Sequence, residues 1–234
     1  SGMSPAEVVA AVFRDTGQNH TILWMLRMPR VAIAILVGFG MGLSGAVFQG
    51  ILRNPLASPF TLGVGSGAGF GAVTAILLLG GSYQSGRVAA CAFLFALLSA
   101  LFILAVAEIK RASAETMIMA GIAQMFLFTS LSSFLQYLGT MEQINEIVFW
   151  FFGSLSKAGW PEIGLSALMV FLPYPFLQRH AWHFNLLSSG DESAASLGVN
   201  VKRLRMAAVI AASLVTAGGL CFTGVIGFVG LVAP

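Results

Sequence analysis

"QGILRNPLASPFTLGVGSGAGFG", residues 49–71, decides the fold. An apolar run reaches Leu52, stops at Arg53, Asn54, Pro55 and Pro59, and restarts on glycines at every second position from Gly63 to Gly71. Proline lacks the backbone donor and clashes with the preceding turn, so no continuous helix crosses this stretch. The glycines can be forced onto G-x-G-x-x-[GA] from Gly67 to Ala72. No strand precedes them and no acid follows at about 20 residues to hold a ribose, which excludes a dinucleotide site. Small residues at this density instead let helices approach closely, as in membrane bundles.

The runs on either side fit that setting. Of 234 residues 57% are hydrophobic and 9% charged, against about 25% charged in ordinary soluble domains. The charges also cluster: none falls within 31–52, 54–86, 88–107, 116–141, 163–178 or 206–234. A spanning helix needs about 20 mostly apolar residues, so six spans are expected, over 31–52, 61–79, 88–107, 116–138, 161–178 and 206–223. A soluble domain of this length cannot bury six such helices all round. The net charge of +3 comes with no basic cluster interleaved with aromatics, so nucleic acid is not an expected partner and the membrane lipid is. The charges set orientation instead. With Arg53 inside, the inner set is Arg53, Lys110, Arg111, Arg179, Lys202, Arg203 and Arg205, against Arg14, Arg27, Arg30, Arg87 and Lys157 outside.

Between the spans the chain carries several local signals. Ser4 and Glu7, with Pro5 between them, form a capping box for an amphipathic segment at the outer surface. In the fourth span Thr129, Ser132, Ser133 and Gln136 fall on about a third of the helix circumference, a polar stripe that suits either interhelical hydrogen bonds or a pathway lining. Residues 142–160 read as an outer loop whose Phe149, Trp150, Phe151, Phe152 and Trp160 form an interfacial belt. The longest polar stretch, Ser188 to Arg205, reads as a short defined helix: Ser189 with Glu192 as a capping box, Gly198 as a left-handed stop and Asn200 as the next N-cap.

Catalytic sets are missing. His180 and His183 share a helical face but have no nearby third ligand, so neither a metal site nor a cofactor is expected. No serine or cysteine triad can be assembled. None of the spans carries a central acid or base, which ion-coupled carriers need, so the energy source is expected elsewhere.

Four stretches, "LRMPRVAIAILVGFGMGLSGAVFQGILRNPLASPFTLGVGSGAG", "IVFWFFGSLSKAGW", "GDESAASLGVNVKRLR" and "GVIGFVGLVAP", resemble in order the signatures of FecCD-type permeases, the transmembrane subunits of ABC importers for iron-siderophore complexes, haem and cobalamin. The resemblance implies an all-α polytopic bundle of the type II importer kind, forming one partial permease domain over residues 1–234, with about six of ten transmembrane helices and the family's first and last helices absent. It implies a multi-pass location in the bacterial inner membrane and a dimer with a second permease copy. It also implies a separate ATP-binding subunit that does the hydrolysis, so the chain itself is not an enzyme, and a periplasmic or lipoprotein substrate-binding protein. By matching position, Arg27 and Arg30 would dock the binding protein and Asn54 and Leu56 would close the inner gate. Gly190, Asp191, Glu192, Ala195, Leu197 and Gly198 would belong to the coupling helix, and Thr129, Ser132, Ser133 and Gln136 would line the pathway. The small hydroxyl pair that the family often carries at the inner gate is not found where Ser113, Ala114 and Glu115 stand. A secondary carrier or a non-transporting membrane scaffold is the rival expectation, and it would tolerate changes in residues 190–198.

Overall fold

The computed structural model describes residues 18–109, 113–156 and 158–234. The capping box of Ser4 and Glu7 and the charges Arg14, Lys110, Arg111 and Lys157 lie outside the described residues. Among the described residues all regular structure is helical. In chain order, α1 (Gln18–Ile22) runs through a π-helical turn (Leu23–Arg27) into α2 (Met28–Leu52), followed by α3 (Val64–Leu78), α4 (Gly86–Ile109), α5 (Ala114–Tyr137) and α6 (Met141–Phe152). Then come α7 (Trp160–Phe171), α8 (Tyr174–Arg179), α9 (Ala181–Ser188), α10 (Asp191–Ser196), α11 (Val201–Thr223) and α12 (Val229–Val232).

Among the described residues four segments are long and apolar enough to cross a membrane: Asn19–Leu52, Gly86–Ile109, Ala114–Tyr137 and Val201–Thr223. The other two expected spans differ in form. With 15 residues, α3 is about 22 Å long, short of a hydrocarbon core of about 30 Å. The residues leading into it, Ala57, Ser58, Pro59, Leu62 and Gly63, are buried without being helical, and irregular backbone is tolerated at membrane depth when protein covers it. The span over 161–178 is broken into α7 and α8, because Pro173 and Pro175 remove the donors that would bond the carbonyls four residues back. Leu172 and Pro173 nonetheless keep right-handed helical dihedrals.

The core is built on α2 and α11, which run antiparallel: Val37 lies against Gly219 and Gly40 against Val215, while Ile51 meets Arg205. Helix α11 is buried over most of its length. On α2 the buried set Ile33, Val37, Met41, Ser44, Phe48 and Ile51 recurs at three- and four-residue spacing, one face of a helix. The glycine run has the predicted use. A Cβ on Gly67 would stand 2.8 Å from the Phe95 carbonyl oxygen, and one on Gly71 would stand 2.4 Å from that of Cys91. These two positions, one turn apart, let α3 lie backbone to backbone along α4.

The outer loop expected over 142–160 is corrected: α6 forms there. Thr140 and Gln143 make the capping box, Thr140 Oγ1 accepting from the Gln143 N–H and Gln143 Oε1 from the Thr140 N–H. The signal was present, a Thr with a Gln three residues on. The expected aromatic belt also loses a member. Trp150 is buried at 1% exposure, while Phe149, Phe151, Phe152 and Trp160 stay exposed, because α6 turns Ile147 and Trp150 inward one turn apart.

Candidate functional site

The chain breaks after α2 as its composition demands. Arg53 takes the left-handed conformation, φ +50°, and its N–H donates to Gln49 O. Asn54 Oδ1 accepts from the Leu56 N–H at 2.9 Å and Asn54 O accepts from the Ala57 N–H, a side-chain-mediated turn of the kind Asn favours. Asn54 is half-buried and Leu56 is 67% exposed. The turn therefore presents Leu56 outward at the end of α2.

At that same end stands α10. It is a short helix of six residues between Gly190 (φ +120°) and Gly198 (φ +84°), conformations that favour glycine. Gly198 terminates it as expected, and Asn200 Oδ1 caps α11 by accepting from the Arg203 N–H at 3.0 Å. The Ser189–Glu192 capping box does not form. Ser189 closes α9, with φ −82° and ψ −5°, and Gly190 is the N-cap residue, which has no side chain to cap with. Glu192, Ala195 and Leu197 project from α10 and its C-cap into the open, with Leu197 66% exposed, whereas Ala194 is buried against the body.

Asp191, the first residue of α10, turns inward. Its Oδ1 accepts from Arg205 Nη2 at 2.8 Å and lies 3.7 Å from Arg53 Nη2. Arg205 is 1% exposed and also donates Nε to Ile51 O at 3.0 Å. That carbonyl would bond the residue 55 N–H in an unbroken helix, and Pro55 has none. Nearby, Lys202 Nζ meets Glu108 Oε1 at 2.6 Å and ties α11 to the end of α4. Arg53, Arg205 and Lys202, three of the seven cations expected inside, are thus gathered at one end. Ser113 Oγ and Thr116 Oγ1 are 2.9 Å apart at the start of α5, and Ser113 caps that helix by accepting from the Thr116 N–H.

The polar stripe of α5 splits. Ser132 is buried at 5%, Gln136 is half-buried, and Thr129 and Ser133 are exposed. Thr129 and Ser133 donate to the carbonyls of Met125 and Thr129, and Gln136 Nε2 donates to Ser132 O. Their hydrogen bonds stay within α5, so the face they present is polar but locally satisfied. A buried amide that the stripe had not included, Gln124, donates to Ser99 Oγ and links α5 to α4.

At the opposite end, Arg27 and Arg30 are exposed on the first turns around the Pro29 entry to α2. Trp160 Nε1 donates to Trp24 O at 3.0 Å and pins the start of α7 beside them. His180 and His183 line a cavity of about 340 Å³ with Phe176 and Arg203. His180 Nδ1 pairs with Phe176 O at 2.9 Å. Among the described residues no group of three His, Cys, Asp or Glu side chains could hold a metal ion.

An all-helical bundle with several apolar spans, a break after α2 and a short exposed helix tied to that break defines a polytopic membrane protein. The chain belongs to the FecCD transport family, whose model matches residues 1–234. It is 36% identical over 216 residues to the cobalamin import system permease protein BtuC of Halobacterium salinarum, covering 92% of this chain and 58% of that protein. It is 34% identical over 221 residues to the molybdate import system permease protein MolB of Haemophilus influenzae, covering 92% and 64%. A solved ABC transporter assigned to the metal-chelate type, in an inward-facing conformation, matches with a TM-score of 0.84 and 31% identity over 97% of this chain and 76% of that one. The chain spans about three-fifths of the length of these curated relatives.

Proposed function

We propose that this chain is the greater part of a permease subunit of an ATP-driven importer. In this reading a metal chelate, namely an iron-siderophore complex, haem or cobalamin, crosses the inner membrane through a pathway shared with a second permease copy. A substrate-binding protein docks at Arg27 and Arg30, and an ATP-binding subunit docks on α10 and supplies the energy. Asn54 and Leu56 close the inner end, and Thr129, Ser132, Ser133 and Gln136 line the way to it. Residues 1–234 form one domain.

The observation that carries this reading is the position of α10. A connector between α9 and α11 needs no exposed Leu197 and no glycine pivot at each end, but a lever driven by another subunit needs both. Family membership supports the same assignment. The named relatives carry different cargoes, cobalamin and molybdate, and the chelate assignment leans on the metal-chelate type of the solved neighbour. The two arginines suit a docking role because exposed cations set encounter rate and register more than affinity.

The test is affinity purification of the full-length protein co-expressed with its genomic neighbours, with and without residues 190–198. An ATPase that co-purifies and is lost on the deletion, while the membrane protein stays monodisperse, is the expected result. Retention of no ATPase, or indifference to the deletion, sinks the reading in favour of a secondary carrier.

A further inference from the structure

We propose that Arg205 is a positioning residue that carries displacement of α10 into the broken end of α2, and so into the Asn54–Leu56 turn. The proposal rests on the reading of α10 as the ATPase-docking helix, but it concerns what lies behind that helix.

Three elements meet at one guanidinium. Arg205 belongs to α11, its Nε reaches Ile51 O in the last turn of α2, and its Nη2 reaches Asp191 at the start of α10. At 1% exposure it is nearly sealed from water. A buried cation is held only if it is paired and its donors are used, so this side chain has little freedom to swing elsewhere. Sequence chemistry explains the partner on α2. Pro55 cannot donate to Ile51 O, and Arg205 supplies the hydrogen bond that the helix lacks there. The end of α2 is therefore completed by a side chain of another helix, and the state of that end depends on where Arg205 is held.

What holds it is movable. Among the described residues, the side-chain hydrogen bonds and ion pairs that link α10 to other elements all run through Asp191. Ser196 bonds only within α10, to Ser193 O. With glycines in positive φ at both ends, α10 can turn as a unit, and Asp191 is its handle. Asp191 also lies beside Arg53, the residue that precedes Asn54. A shift of α10 thus acts twice on the same break, through Arg205 on Ile51 and through Arg53 on the turn itself.

A purely structural ion pair would need charge at position 205 and little more. The observed arrangement needs a fork, because two nitrogens of one planar group serve two elements, and a lysine ammonium offers a single point charge. Arg205→Lys therefore separates the two roles: it keeps the charge and loses the bridge.

The experiment uses the full-length protein with its ATPase in proteoliposomes, with every native cysteine, Cys91 and Cys221 included, replaced by alanine and Leu56→Cys as reporter. The rate of labelling by a membrane-impermeant maleimide is read with and without MgATP and vanadate, normalised to the ATPase retained. Trapping should change the rate about tenfold in the parent, a coupling of ordinary size, and the response should collapse in Arg205→Lys. Asp191→Ala, at a half-buried site, removes the acceptor of that hydrogen bond from the other side and covers the case in which the position 205 variant fails to fold. A full response in either folded variant overturns the strut while the importer reading stands. If the parent retains no ATPase, that reading fails and the strut falls with it.

Discussion

Gly71→Ala puts the packing argument at its most exposed point. The added Cβ would sit 2.4 Å from Cys91 O, 2.8 Å from Cys91 C and 3.0 Å from Phe95 Cβ. Two of these are backbone atoms of α4, so no rotamer change relieves them, and α3 and α4 must separate by about 1 Å to restore ordinary contact near 3.4 Å. A gap of that size forfeits a quarter to a half of each dispersion well along the seam. Overpacking of this kind costs about 1–3 kcal/mol. Against it stands the helix-propensity gain of Gly→Ala, about 1 kcal/mol. Because the clash is with backbone, a cost near the middle of that range is expected, about 1 kcal/mol more than the gain, and at about 2–4 °C per kcal/mol the apparent Tm of the full-length protein in detergent should fall by about 2–4 °C. Gly38→Ala is the control, because nothing lies within 4 Å of the Cβ it would add, and it should leave Tm unchanged or raise it. Equal Tm for Gly71→Ala and the parent would show that α3 and α4 are not held backbone to backbone, and the reading of residues 63–71 would fall.

Leu197→Asp, which places a charge on the exposed tip beside α10, should reduce ATPase recovery in pull-downs by about tenfold or more without shifting Tm. Arg27→Glu with Arg30→Glu should slow association of the binding protein, measured by surface plasmon resonance, by about 10–100-fold at low salt and by much less at 1 M salt. Ser133→Leu, on the exposed part of the α5 stripe, should lower chelate uptake in proteoliposomes while leaving ATPase recovery intact. Unchanged uptake would remove Ser133 from the pathway. Thr140→Ala deletes the N-cap of α6 and should cost about 1 kcal/mol of stability, read as faster amide exchange over residues 141–152.

The sequence is most legible where one residue type has one physical use. The prolines at 55 and 59 end α2, the glycines at 67 and 71 admit α4, Gly198 stops α10 and Asn200 starts α11, each through a local constraint that neighbouring sequence states in full. Reading failed where two local signals competed. Ser189 and Gly190 both suit the start of α10, and the glycine prevails because the chain turns through φ +120° there, a conformation that strains a residue with a Cβ. Over 141–152 the aromatic content pointed to an interfacial loop, whereas the Thr140–Gln143 box and the Ile147–Trp150 spacing specify a helix with one buried face.

Arg205 marks a different kind of limit. In a list of charges it counts as one more cation on the inner side, and its role in orientation hides its place in the fold. Its burial follows from three facts at positions far apart in the chain: a proline at 55 that leaves Ile51 O without its usual donor, an aspartate at 191 that turns inward from α10, and a helix that starts at Val201 and brings the side chain between them. None of these is unusual alone. A basic residue in the second turn of α11 would ordinarily reach for water, and desolvating it is unfavourable unless every strong donor direction finds an acceptor. The break after α2 supplies one acceptor and α10 supplies another. The proline that makes the break in the opening stretch therefore also creates the vacancy that draws Arg205 inward, so that the end of α2 and the position of α10 are settled by the same side chain.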